Sequence, residues 1–159
     1  MSISTGRTMF AVALLGTLSA CGGPGETGRI PEAEPAGPTS ADIGEHVVHF
    51  SAQSTDQLPA EIARAYDIVR SKNRAMLNVS VLRKPDSVPV NAVITVKTRN
   101  LAGQLKSVSM RQINDGDAIY YIGELSVANR ETLVFDISVT PEGATTPADV
   151  RFVRQFFTN

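Results

Sequence analysis

The chain has 159 residues, 42% of them hydrophobic and 19% charged, with fifteen Lys and Arg against sixteen Asp and Glu for a formal net charge of −1. So balanced a charge provides no single-sign field for a polyanion, which excludes nucleic acid as the expected partner. A single cysteine rules out an intramolecular disulfide and a thiolate metal cluster, and no metal or other cofactor is expected.

The first element is an export signal. Met1–Thr8 is polar and carries one cation, Arg7, and Met9–Ala20 (MFAVALLGTLSA) carries no charge. Spanning a bilayer takes about 20 apolar residues, so a short basic region followed by a short apolar one reads as a secretory signal. Leu18-Ser19-Ala20-Cys21 resembles the bacterial lipobox. The resemblance implies a lipoprotein signal peptide over 1–20, cleavage before Cys21 and acylation of its thiol, with membrane lipid as the partner. Two or three acyl chains, at about 0.8 kcal/mol per buried methylene, make a firm anchor. Gly22 follows where the family's inner-membrane retention signal has aspartate, which implies an exported lipoprotein on the outer membrane, facing the periplasm.

Residues 21–44 follow as the lipidated cysteine and a tether. The run GGPGETGRIPEAEPAGPTSADIG has almost nothing to bury and cannot offset its own ordering entropy, so it is expected to be disordered. As a random coil it would hold the next domain about 25 to 30 Å from the lipid. Residues 45–159 then form one domain large enough for a core, with thirteen basic and twelve acidic residues.

That domain reads mostly at period two, the mark of strands with one face on a core and one in water. Leu77, Val79 and Val81 alternate with Asn78, Ser80 and Leu82, and Leu133, Phe135, Ile137 and Val139 alternate with Val134, Asp136 and Ser138. Seven strands are predicted, at 46–53, 75–84, 90–99, 104–113, 118–127, 132–140 and 149–157. Turn residues separate them: Pro85-Asp86 and Pro89, Asn100–Gly103, Asn114–Asp117 as a hairpin loop, Ala128–Arg130, and Pro141–Gly143 with Pro147.

One segment has helical period. Leu58, Ile62, Ala65, Tyr66 and Val69 share a face, Pro59 suits the first turn, and Glu61, Arg70 and Lys72 complement the helix dipole. Asn73 is the expected left-handed stop. The fold class is therefore all-β: an immunoglobulin-like two-sheet β-sandwich of about seven strands, with one short helix between the first two. A small closed barrel is the alternative. Ala118-Ile119-Tyr120-Tyr121-Ile122 also resembles the tyrosine corner of immunoglobulin domains.

Three stretches carry a wider resemblance: His49–Lys84, with its AYDIVRSKNRAMLNVSV run, Gly116–Leu125 (GDAIYYIGEL) and the closing strand from Arg151 to Phe157. Together they resemble the small Gram-negative envelope proteins grouped as domain of unknown function 4426. The resemblance implies an immunoglobulin-like sandwich in an exported protein and supplies no catalytic residues.

The search for chemistry is mostly negative. His46 and His49, three apart on a strand, point to opposite faces and cannot share a metal. No Gly-x-Ser-x-Gly elbow, Ser-x-x-Lys pair or phosphate loop is present. Asp115-Gly116-Asp117 lacks the further oxygens of a calcium loop and reads as a turn. The densest basic cluster is Arg70, Lys72 and Arg74. With Tyr66 and Asn73 it is the candidate binding surface, suited to an anionic partner. The expected function is a lipid-anchored, non-catalytic binding or adaptor module of the envelope with a protein partner there. The alternatives are an envelope enzyme using Tyr66, Asp67 and Arg70, or a carrier of a small apolar ligand between the sheets.

Overall fold

The computed structural model describes residues 37–158. The expected signal peptide, Cys21 and the tether up to residue 36 lie outside the described residues. Ten strands follow in chain order: β1 Ser40–Ile43, β2 His46–Ser54, β3 Arg74–Arg83, β4 Val88–Pro89, β5 Ala92–Asn100, β6 Leu105–Lys106, β7 Ser109–Asp115, β8 Ala118–Ser126, β9 Glu131–Pro141 and β10 Ala148–Phe156. A 3-10 turn, Thr55–Gln57, and one helix, α1 Ala60–Ala65, lie between β2 and β3.

The strands form two antiparallel sheets packed as a sandwich, as the period-two pattern predicts. The first has the order β1-β2-β3-β8-β7, with β4 also paired to β3, and the second the order β10-β9-β5-β6. The alternating apolar rows meet between them. Ala75, Leu77, Val79 and Val81 of β3 and Leu133, Phe135 and Val139 of β9 are fully buried. Each such Val, Leu or Phe contributes about 1.5–3 kcal/mol by leaving water. Phe152 of β10 stacks at 4.7 Å on Phe135 and at 4.9 Å on Phe50 of β2, so one aromatic column joins the sheets. Tyr121 of β8 adds a polar link. Its ring is buried in the core, and its hydroxyl accepts the Ala92 N–H at the start of β5 at 2.7 Å.

Three expectations change in detail. The segment expected as tether contributes β1, whose Ala41 and Ile43 pack against the core while Gly44 turns the chain at φ 63°. The ordered domain therefore begins before Glu45; four residues are too few to show a period. The single strand expected at 104–113 is two: β6 pairs with β5 in the second sheet, and β7 pairs with β8 in the first. The chain crosses between sheets at Ser107-Val108 without a Gly or Pro to mark it. The helix is shorter than its period suggests, ending at Ala65. Asp67 at φ 54°, not Asn73, takes the left-handed position. The Ile68 N–H reaches the Ala63 carbonyl at 2.7 Å and the Asp67 N–H reaches that of Arg64 at 3.3 Å, the paired bonds of a Schellman stop.

Candidate functional site

The segment between β2 and β3 does not project into solvent. Its apolar residues Leu58, Ala63 and Ile68 are buried against Ile122 of β8, with Tyr66, Met76, Ile113 and Tyr120 packed around them. This second apolar cluster lies on the outer face of the first sheet, away from the core between the sheets. Strand β8 is thus apolar on both sides, with Tyr121 and Leu125 inward and Tyr120 and Ile122 outward.

Polar bonds hold the ends of the segment. The hydroxyl of Thr55, fully buried, lies 2.9 Å from the Val69 carbonyl and 3.1 Å from that of Ser71, and accepts the Ser71 N–H at 2.9 Å. Arg70 donates to the Asp56 carbonyl at 2.7 Å. The Val127 N–H donates to the Asn73 carbonyl at 2.9 Å, fixing the exit against the end of β8.

Between α1 and the sheet runs a groove of about 320 Å³. Ile62 and Tyr66 form one wall, Ile113 and Asp115 of β7 the other, and Met76, Asn78, Tyr120 and Ile122 the floor. These floor and wall residues are brought together by register: Asn78 pairs with Ile122 across β3 and β8, and Ile113 with Tyr120 across β7 and β8. The Tyr66 hydroxyl donates to Asp115 Oδ2 at 2.7 Å, and Arg111 donates to the Tyr66 carbonyl, so α1 is latched to β7 twice. The bond to Asp115, with burial and the carboxylate charge, raises the Tyr66 phenol above its ordinary range. At neutral pH it therefore stays protonated and donating.

Two acceptors face the groove. Asn78 Oδ1 is buried without a hydrogen-bond partner among the described residues. Asp115 accepts from Tyr66 but forms no ion pair among the described residues, where six other pairs occur. The lining includes no serine, cysteine, lysine or histidine. Among the described residues no three His, Cys, Asp or Glu side chains gather as for a metal.

The expected binding surface is dispersed. Tyr66 enters the groove, but Arg70 is spent on the Asp56 carbonyl and Arg74 pairs with Glu124 at 3.2 Å across β3 and β8. Lys72 and Asn73 are exposed in the turn before β3, where the Asn73 N–H donates to Ser71 Oγ at 3.2 Å. The trio of Tyr66, Asp67 and Arg70 does not assemble either, because Tyr66 and Arg70 bond in different directions. Sequence reasoning missed Ile62, Met76, Asn78, Ile113, Asp115, Tyr120 and Ile122. The available signal was the presence of Met76, Tyr120 and Ile122 on rows that a water-facing sheet would make polar.

The family model for DUF4426, a domain of unknown function, matches residues 40–159. The chain belongs to the DUF4426 family. The crystal structure of a DUF4426 family protein from Pseudomonas aeruginosa PAO1 is 28% identical, covering 76% of this chain and 94% of that one with a TM-score of 0.67. Two structures of FetP from uropathogenic Escherichia coli strain F11 share the fold alone. A copper-bound variant is 8% identical, covering 74% of this chain and 93% of that one with a TM-score of 0.54. The as-isolated protein, recombinantly expressed in the periplasm of E. coli, is 9% identical, covering 74% and 92% with a TM-score of 0.53. No curated protein matches the chain.

Proposed function

We propose that this protein is a lipid-anchored binding module of the cell envelope, tethered through Cys21 and engaging its ligand in the groove between α1 and the outer face of the first sheet. One observation carries the binding role: an apolar groove whose buried Asn78 Oδ1 has no partner among the described residues. Leaving such an acceptor unpaired costs about 1–3 kcal/mol, a cost that a bound donor removes. The anchor rests on the sequence before and at Cys21.

Two experiments test the two halves. Replacing Cys21 by Ser should abolish labelling with palmitate and release the protein from the membrane fraction; a variant that remains membrane-bound removes the anchor. A photo-crosslinking amino acid at Ile62, in the groove, should capture a defined adduct in cells. The same probe at Val93, exposed on the second sheet, should not. Equal capture at both positions, or none at either, overturns the groove as the binding site.

A further inference from the structure

Building on the groove as the binding site, we propose that its ligand is a small apolar molecule ending in a protonated amine. The proposal follows from what the groove lacks. The hydrogen of the Tyr66 hydroxyl is committed to Asp115. The guanidinium of Arg111, on the same strand, is turned to the Tyr66 carbonyl. What remains for a ligand is the Asn78 Oδ1 on the floor, without a partner among the described residues, the Tyr120 hydroxyl and Asn78 amide beside it, and on the wall the Asp115 carboxylate, the one charged side chain of the lining. A carboxylate or phosphate ligand would face the like charge of Asp115 with no cation in the lining to offset it. An ammonium has three donors and a positive charge, matching both the Asn78 oxygen and the Asp115 carboxylate, and a carboxylate partner makes the resulting hydrogen bond stronger than a neutral one.

The rest of the surface sets the ligand's body. Ile62, Met76, Ile113 and Ile122 are apolar, and Tyr66 and Tyr120 place aromatic rings in the lining, a setting in which a cation gains further from ring faces. At about 30 Å³ for each water-sized group, a space of about 320 Å³ suits a free small molecule rather than a folded partner. This size lies at the lower end of ligand pockets.

The test uses the full chain with Cys21→Ser, free of detergent, and methyl NMR of Met76, Ile113 and Ile122. Three probes share one body and differ at the tip: 2-phenylethylammonium, 2-phenylethanol and 3-phenylpropionate. The ammonium should shift the three methyls at concentrations of about 1–10 mM, the range that ligand efficiency allows for so few atoms. The alcohol and the carboxylate should bind at least tenfold more weakly. Asp115→Asn, which keeps an acceptor for Tyr66, should erase most of the preference for ammonium over alcohol. If the alcohol or carboxylate shifts the same methyls as strongly as the ammonium, the amine is wrong while the groove stands. If no probe shifts them, the groove itself is wrong. Because the three ligands are compared on one protein, the test holds even if Asp115→Asn fails to fold.

Discussion

Thr55 is the residue whose alteration should most clearly separate hydrogen bonding from packing in this fold. It is fully buried, and its hydroxyl bonds both the backbone carbonyls and the N–H of Val69–Ser71, where the α1 segment returns to the sheet. Thr55→Val keeps the shape and deletes the hydroxyl. It removes one donated and one accepted bond, at about 1 kcal/mol each, and leaves the Ser71 N–H unpaired, for a loss of about 2–3 kcal/mol. Thr55→Ser keeps the hydroxyl and deletes one methyl, a loss of about 1 kcal/mol with its small cavity. Urea denaturation should therefore rank wild type above Ser above Val. Hydrogen exchange adds a local readout. In Thr55→Val the Ile68 amide, bonded to Ala63, should lose protection beyond the global loss, because the segment opens without the sandwich. A Val variant as stable as the Ser variant, or an Ile68 amide that follows the global change alone, would refute the claim that this hydroxyl pins the segment.

Gly123 on β8 should tolerate no side chain. A Cβ there would lie 2.5 Å from both Val108 Cγ1 and Met110 Sδ, so Gly123→Ala should cost about 1–2 kcal/mol after the gain in backbone entropy, read as a fall in Tm of several degrees. Tyr121→Phe strands the Ala92 N–H and should cost about 1–2 kcal/mol with the sheets still paired, as circular dichroism would show. Acid should weaken the second sheet. The Arg151 guanidinium, against some desolvation and with help from Arg99, holds the Asp136 carboxyl below its ordinary range. Its contribution is therefore full above the unfolded value near pH 3.9 and lost as pH falls through the lower folded value. Asp136→Asn should lower stability by about 1 kcal/mol at pH 7 and by little near pH 2.

The sandwich was legible where one face of a strand meets water. β3 and β9 show clean alternation, and their inward rows are the buried ones. The reading failed where a second layer covers the sheet. On β8, AIYYI is apolar at every position because the α1 segment packs outside it, and that run resembles a corner motif as readily as a strand covered on both sides. The helical face was misread because Tyr66 and Val69 continue a 3.6-residue period past a stop that Asp67 makes; Val69 is 62% exposed. The groove stayed hidden for the same reason. Its residues come from four elements, and only register across β3, β8 and β7 brings Asn78, Ile122, Tyr120 and Ile113 side by side. Tyr66 was singled out for its place beside a basic cluster, but its hydroxyl turns to a carboxylate instead.

The chain passes between the sheets three times, after β4, after β6 and after β8, which has a consequence for how it can be divided. Strands β5 and β6, which belong to the second sheet, are inserted between β3, which supplies Met76 and Asn78 of the groove's floor, and β7 and β8, which supply the far wall and the rest of the floor. A fragment that holds the whole first sheet must therefore run from β1 to β8, and it carries β5 and β6 without β9, the strand that β5 pairs with. A chain cut between β8 and β9 keeps the first sheet and the groove but uncovers the inward row Leu77, Val79 and Val81, so loss of β9 and β10 should appear as aggregation rather than as an independent layer.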